Sequence, residues 1–282
     1  MAKKKSDLIP RLVTAVVAVP LLLALIFLAP AWGFFALVIA AGAISAWEYC
    51  TITIGKESTP VTWAATLLTA GVMATMIWLP AYLVASLAIG AVLLFLIVLF
   101  THSDQTKITQ HIGSGVTSIV YAGVIFGCVA LMRQATGEAG PYWVVLVLGI
   151  IWGADSGAYF AGRFLGKHKL APTVSPNKTI EGALGGLVAA IAVTFGFNLL
   201  FGALSTDWIP LRPLQVLLLA VPANFLGQTG DLCESLLKRA HGVKDSGTII
   251  YGHGGMLDRI DALIMASPWF YVFVTTMGPQ AV

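Results

Sequence analysis

Charged side chains are scarce. Only 10% of the 282 residues are Asp, Glu, Lys or Arg, against roughly 25% in soluble domains. With 58% hydrophobic residues and a mean hydropathy of +0.88, the chain holds more apolar sequence than a water-soluble core needs. Lipid as the solvent accommodates it, so the chain reads as a polytopic membrane protein. Cysteine is also scarce. Cys50, Cys128 and Cys233 have no CxxC spacing, which argues against a disulfide framework or a zinc site and for small packing residues. No loop is long enough for a soluble domain, and no repeat, heptad or low-complexity tract is evident. A net charge of +3 on such a chain does not speak for nucleic acid as a partner.

A helix crossing the hydrocarbon core needs about 20 mostly apolar residues, and roughly nine runs qualify. They lie near 10–30, 32–50, 61–79, 82–100, 114–132, 142–162, 180–204, 211–230 and 260–278. Pro30, Pro60, Pro80, Gly113, Pro141, Pro176, Pro210 and Gly230 separate them, while Pro20 and Pro222 fall inside runs, where membrane helices tolerate kinks. The basic start, MAKKKSDLIPR, resembles a signal peptide. The apolar run behind it is long for one, and many spans follow, so it reads as a retained first span.

Placing the N-terminus in the cytoplasm and alternating the spans puts 14 of the 16 Lys and Arg residues on that side, leaving only Arg133 and Arg212 outside. All five histidines fall on the cytoplasmic side too. The expected fold class is thus all-α, with roughly nine transmembrane helices, a cytoplasmic N-terminus and an outward C-terminus. Residues 1–113 read as a transmembrane scaffold and 114–282 as a catalytic region with its site at the cytoplasmic face. In the first half only Glu48, near a span end, is a candidate intramembrane charge.

Three polar segments interrupt the second half. In WGADSGAYFAGRFLGKHKLAPTVSPNKTIEG (152–182), Asp155, Tyr159 and Arg163 share a helix face. An ionisable group in a span is expensive and marks either a function or a buried pair, here Asp155 with Arg163 or Lys178. The following loop offers Lys167, His168, Lys169 and Lys178 among Ser175, Asn177 and Thr179. Such a set suits a phosphate or simply obeys the positive-inside bias, but the tight SPNKT turn leading into Glu181 and Gly182 favours the former. In GQTGDLCESLLKRA (227–240), Asp231, Glu234, Ser235 and Lys238 share a face, as an amphipathic surface helix would also arrange them. The third segment, KRAHGVKDSGTIIYGHGGMLDRID (238–261), concentrates charge and glycine. Asp258 and Asp261, one turn apart around Arg259, can hold a hard cation such as magnesium, which takes one or two carboxylates plus substrate phosphates. His253, among Gly252, Gly254 and Gly255, lies on backbone that can approach a ligand closely. Lys238, Arg239, Lys244 and Arg259 can neutralise phosphate oxygens. Carboxylates, cations and glycine turns together suit a metal-assisted transfer on a polyphosphate at a membrane surface.

The ordered string Ser235, Leu237, Lys238, Arg239, Lys244, Asp245, Ser246, Gly247, then His253, Gly254, Gly255, Asp258, Arg259, Asp261 resembles the signature of the phosphatidate cytidylyltransferase (CDP-diacylglycerol synthase) family. WGADSGAY, LGKHKLAPTVSPNKTIEG and the GDxxES pattern resemble its bacterial members. The resemblance covers mainly residues 150–265. Tyr251 departs from it, standing where the family usually has proline or glycine, and a differently shaped turn is expected there.

The resemblance implies transfer of CMP from CTP to phosphatidate, giving CDP-diacylglycerol and pyrophosphate. It implies a magnesium-dependent centre on Asp231, Asp258 and Asp261, with room for potassium as a second ion. Lys178, Lys238, Arg239, Lys244 and His253 would contact phosphates, with Ser235, Gly254, Gly255 and Arg259 also at the substrate. Asp155 and Ser156 would bind cytidine or support the site, and Asp245 would partner Lys244 or an arginine. A bacterial inner membrane suits the charge pattern, and the sequence leaves room for a homodimer. The principal rival is a secondary transporter, which would place charge nearer the bilayer midplane and often show paired halves. A CTP-using enzyme acting on another lipid phosphate or alcohol is a closer alternative.

Overall fold

The computed structural model describes residues 8–55, 59–101, 105–250 and 254–279, with side chains from residue 16 onward. Among them run α1 (Leu8–Leu28), α2 (Ala31–Ile54), α3 (Thr59–Trp78), α4 (Leu83–Thr101), α5 (Ile108–Ser118), α6 (Phe126–Ala135), α7 (Gly140–Leu165), α8 (Ile180–Leu204), α9 (Pro213–Ala240) and α10 (Leu257–Thr276). A π-helical turn, Ile119–Ile125, joins α5 and α6 into one rod, so the described residues form nine rods. Seven are long and apolar enough to cross a membrane. Helix α1 contributes a shorter apolar stretch, Val16–Leu28, and α10 spends its first turns on Asp258, Arg259 and Asp261. This is a polytopic helical membrane protein.

Three expectations need correction. Gly113 and Gly230 do not separate spans. Gly113 lies within α5, in a continuous helical segment running Gln105–Ala135, and α9 continues past Gly230 to Ala240. The SPNKT segment is not only a turn. It is strand β2 (Ser175–Thr179), paired antiparallel with β1 (Lys169–Ala171), so the fold is helical apart from one short hairpin. Pro176 fits there because a two-stranded ribbon consists of edges, where a missing N–H costs little.

The chain forms two compact units. The first comprises residues 1–130 and 240–260. Cys50, Val61, Ala65, Val72, Leu94, Val98 and Ile119 form its buried cluster. Lipid is as apolar as these side chains, so close packing rather than escape from water must hold such helices together. Cys50 fits that role, its thiol 3.4 Å from the Ser118 hydroxyl it donates to, whereas Cys233 is exposed.

The second unit comprises residues 131–239 and 261–282. Small residues let α7 and α8 touch along their lengths. A Cβ on Gly157 would lie 2.8 Å from the Gly185 carbonyl oxygen, one on Gly186 3.0 Å from that of Ala154, and one on Gly182 2.9 Å from that of Ala158. This is the small-residue packing membrane helices favour. Helix α10 packs on α9, where the Trp269 indole N–H donates to the Leu219 carbonyl (3.3 Å) and the Gln215 amide to that of Met277 (2.8 Å). Gln228 ties α9 to α8 by donating to the Ala183 carbonyl (3.1 Å). Gly157→Val is therefore expected to lower the thermal midpoint in detergent sharply. Gly196→Ala, on α8 with nothing within 4 Å of its added Cβ, should leave it within a degree or so, since overpacking costs roughly 1–3 kcal/mol only where space is missing.

Candidate active site

The second unit gathers carboxylates and cations from four elements. Lys178 on β2 pairs with Asp231 on α9, Nζ to Oδ2 2.7 Å. The other oxygen of Asp231 accepts from the Ser235 hydroxyl one turn on (3.3 Å). Asp261 on α10 interacts electrostatically with Asp231, Asp155 and Lys238, which brings α7 and α9 to the same place. Lys238 is held by Glu234, Nζ to Oε2 2.5 Å, and both are largely buried. The shared face expected for Asp231, Glu234, Ser235 and Lys238 is therefore real. Its Glu234 and Lys238 pair inward, as a solvated surface helix would not.

The hairpin is what presents Lys178. Thr179 caps α8, its hydroxyl accepting from the Gly182 N–H (3.1 Å), as N-cap threonines do. The Ile180 N–H donates to the His168 carbonyl (2.9 Å). The Glu181 carboxylate accepts from the Lys167 N–H (3.0 Å) and the His168 N–H (3.2 Å), and lies 2.6 Å from His168 Nδ1. Lys167 and His168 thus meet Glu181 through their backbone, with the lysine side chain left outward. Sequence reasoning missed this clamp, although an acidic residue in the first turn of a helix was its signal. Arg163 turns to the Tyr159 hydroxyl (2.7 Å), and Ser156 donates back to the Trp152 carbonyl (2.8 Å).

In the first unit Ser246 and Gly255, both before α10, close on Asp258. Its Oδ2 accepts from the Ser246 N–H (2.8 Å), the Ser246 hydroxyl (3.0 Å) and the Gly255 N–H (3.0 Å). Gly254 takes a positive φ of 84°, where glycine avoids the steric cost of a side chain. Gly255 is glycine for a reason within the fold, since a Cβ there would lie 2.6 Å from both carboxylate oxygens of Glu48. Lys244, Asp245, Arg239 and Arg259 are exposed. His253 and Tyr251 lie outside the described residues.

Among the described residues no three His, Cys, Asp or Glu side chains form a ready metal cage. Magnesium does not require one, because it keeps waters and substrate phosphates with one or two carboxylates. Asp231 and Asp261 are the two carboxylates of the cluster that could serve in that way. Both belong to a cluster in which carboxylates repel one another, and a cation would relieve that repulsion. Asp258 differs, with one oxygen already engaged by three donors.

The fold and this cluster define a multi-spanning membrane protein that gathers ionic side chains from three helices and a hairpin. The chain belongs to the cytidylyltransferase family, whose sequence pattern matches residues 9–277. That match takes in α1 to α6 as well, beyond the 150–265 region that carried the resemblance. The chain is 38% identical to a phosphatidate cytidylyltransferase of Bacillus subtilis over 188 residues, 66% of each chain. It is 45% identical to one of Haemophilus influenzae over 139 residues, 48% of this chain and 46% of that one. With one of Staphylococcus aureus it shares 40% over 151 residues, 54% of each. These matches span from about half to two thirds of the relatives' length.

Proposed function

We propose that this protein transfers the CMP group of CTP to phosphatidate, releasing pyrophosphate and forming CDP-diacylglycerol. The observation that carries this reading is the convergence of Lys178, Asp231, Ser235, Lys238, Asp155 and Asp261 in one unit of a cytidylyltransferase-family chain. A phosphate oxygen of phosphatidate attacks the α-phosphorus of CTP. The new P–O bond forms as the bond to the β-phosphate oxygen breaks, and pyrophosphate leaves with that electron pair. The nucleophile is already an anion, so no strong general base is needed. The protein's task is alignment and neutralisation of charge.

Asp231 and Asp261 are the residues we assign to hold Mg2+, with Asp258 added on the family resemblance, and potassium as a second ion stays part of the proposal. When bound, the ion would neutralise phosphate oxygens and orient them. Lys178 sits beside Asp231, 24% exposed, where its ammonium can exchange a carboxylate for a phosphate oxygen. Lys238, held in its ion pair with Glu234, is a further proposed phosphate contact. Arg239, Lys244, Arg259 and His253 remain proposed phosphate contacts, and Asp155 and Ser156 proposed supports of the cytidine. The bias of basic residues supports a site on the cytoplasmic face of a bacterial inner membrane.

The test is pyrophosphate release by purified protein in detergent with CTP and phosphatidate, with and without magnesium. Release that needs both lipid and metal is the expected result. Release only with another lipid phosphate would move the substrate, and no turnover by folded protein with any lipid would end the enzyme reading. In the same assay Lys178→Met is expected to raise the KM for CTP about 10-fold, the order of one lost charge-assisted contact. An unchanged KM would remove Lys178 from the phosphate contacts.

A further inference from the structure

Glu48 lies near the end of α2 and is only 2% exposed. A carboxylate so enclosed is costly unless donors surround it. Three donors do, all from one remote segment. The Met256 N–H donates to Oε1 (3.0 Å), the Leu257 N–H to Oε2 (2.8 Å), and the Ser246 hydroxyl lies 3.0 Å from Oε2. The first amides of a helix lack partners within it, and its dipole favours an anion there. Glu48 therefore caps α10 from 209 residues away in sequence.

The same serine serves Asp258. Its hydroxyl accepts from the Asp258 N–H (3.3 Å) and lies 3.0 Å from Asp258 Oδ2. One hydroxyl proton faces two carboxylates, so the Ser246 proton links Glu48 to Asp258 and donates to one of them at a time. Two glycines make room for the contact. A Cβ on Gly247 would lie 3.0 Å from Glu48 Cδ, and one on Gly255 2.6 Å from both its oxygens. The DSG and HGG strings thus contain glycines at positions where the loop backbone lies against this carboxylate.

We infer that Glu48 is a positioning residue for the transfer reaction. It fixes Ser246, the Met256 and Leu257 amides and the first turn of α10, and so the direction of Asp258. The inference rests on the proposed activity for its kinetic part and on geometry alone for the rest.

The test compares Glu48→Gln, Glu48→Leu and Ser246→Ala with the native protein, reading kcat, KM for CTP, thermal midpoint and amide exchange across residues 246–258. Glu48→Gln keeps the shape and one acceptor oxygen, and is expected to lower kcat about 10-fold with KM within about 2-fold, as loss of a supporting partner does elsewhere. Glu48→Leu should lower kcat about 100-fold. Ser246→Ala should fall in between, because both helix caps remain. The Met256 and Leu257 amides should exchange faster in Glu48→Gln while exchange elsewhere is unchanged. Native kcat with native exchange would overturn the inference. So would a loss of kcat that tracks a general fall in thermal midpoint and a general rise in exchange. If Glu48→Leu does not fold, the other two variants decide. If the native chain itself releases no pyrophosphate, the activity reading fails, and local exchange at Met256 and Leu257 alone upholds or sinks the positioning role.

Discussion

Asp231→Asn is expected to leave the protein folded and to lower pyrophosphate release at least about 100-fold, the order seen when a group that stabilises transition-state charge is removed. The substitution preserves volume and an acceptor for the Ser235 hydroxyl, which now meets Oδ1 at 3.3 Å. What it removes is the negative charge at the oxygen paired with Lys178. That ion pair is itself partly exposed, so its loss should cost stability only modestly. The charge matters to a cation. With Asp231 neutral, Asp261 would be left to bind magnesium with weaker help. Raising magnesium should then recover part of the rate in Asp231→Asn. A variant with native turnover at all magnesium concentrations would take Asp231 out of the metal site. A variant that loses turnover and cannot be rescued by magnesium would make it a substrate contact. Measured beside the thermal midpoint, the magnesium dependence separates these cases from a failure to fold.

The legible parts of this protein were those in which physics acts on composition or on short spacing. Lipid as solvent demands apolar runs, so the helices could be read from hydropathy, and seven of them meet the length and composition of a span. A helix repeats about every 3.6 residues, so spacing alone places Asp231, Ser235 and Lys238 on one face. Glycine was where this reading failed. Gly230 looked like a terminator because glycine lowers helix propensity. Within a membrane, helix propensity yields to packing, and small residues mark where helices touch. The hairpin of Lys169–Thr179 was hidden because its strands are too short to show an alternating pattern, and Pro176 made the segment look like a turn alone. The link from Glu48 to Ser246 had no local signature at all, for 198 residues separate them. Its one trace was a carboxylate in an apolar helix, which has to find donors somewhere. The family pattern reaches back to residue 9, in keeping with a first half that does more than fill the membrane.

Gly230→Ala is expected to cut turnover about as deeply as loss of Asp231, though it removes no charge and no hydrogen bond. A Cβ at Gly230 would lie 2.5 Å from the Asp261 carbonyl oxygen and 3.1 Å from Ala262 Cα. Both are backbone atoms, so no side chain can turn away, and α9 and α10 must part. The residues on either side of that contact are Asp231 and Asp261. Parting the helices therefore moves the two carboxylates that would share a cation, and magnesium binds poorly when its octahedral geometry is not met. Small shifts suffice, since misplacement by about 1 Å can cost on the order of 100-fold in rate. Gly227→Ala, one turn earlier on the same helix, is the control. Its Cβ would meet Ile151 Cδ1 at 3.2 Å, the end of a flexible side chain that can give way, and turnover should stay within about 3-fold of native because such overpacking is relieved locally. The helix propensity of alanine is higher than that of glycine at both positions, so a loss at 230 alone cannot come from the helix itself. If both variants turn over like the native protein, the α9–α10 crossing does not set the carboxylate spacing, and the metal site must be built without Asp261. If only Gly230→Ala fails, and its requirement for magnesium rises as it fails, then the close approach of two helix backbones is what holds the site's acidic groups at working distance.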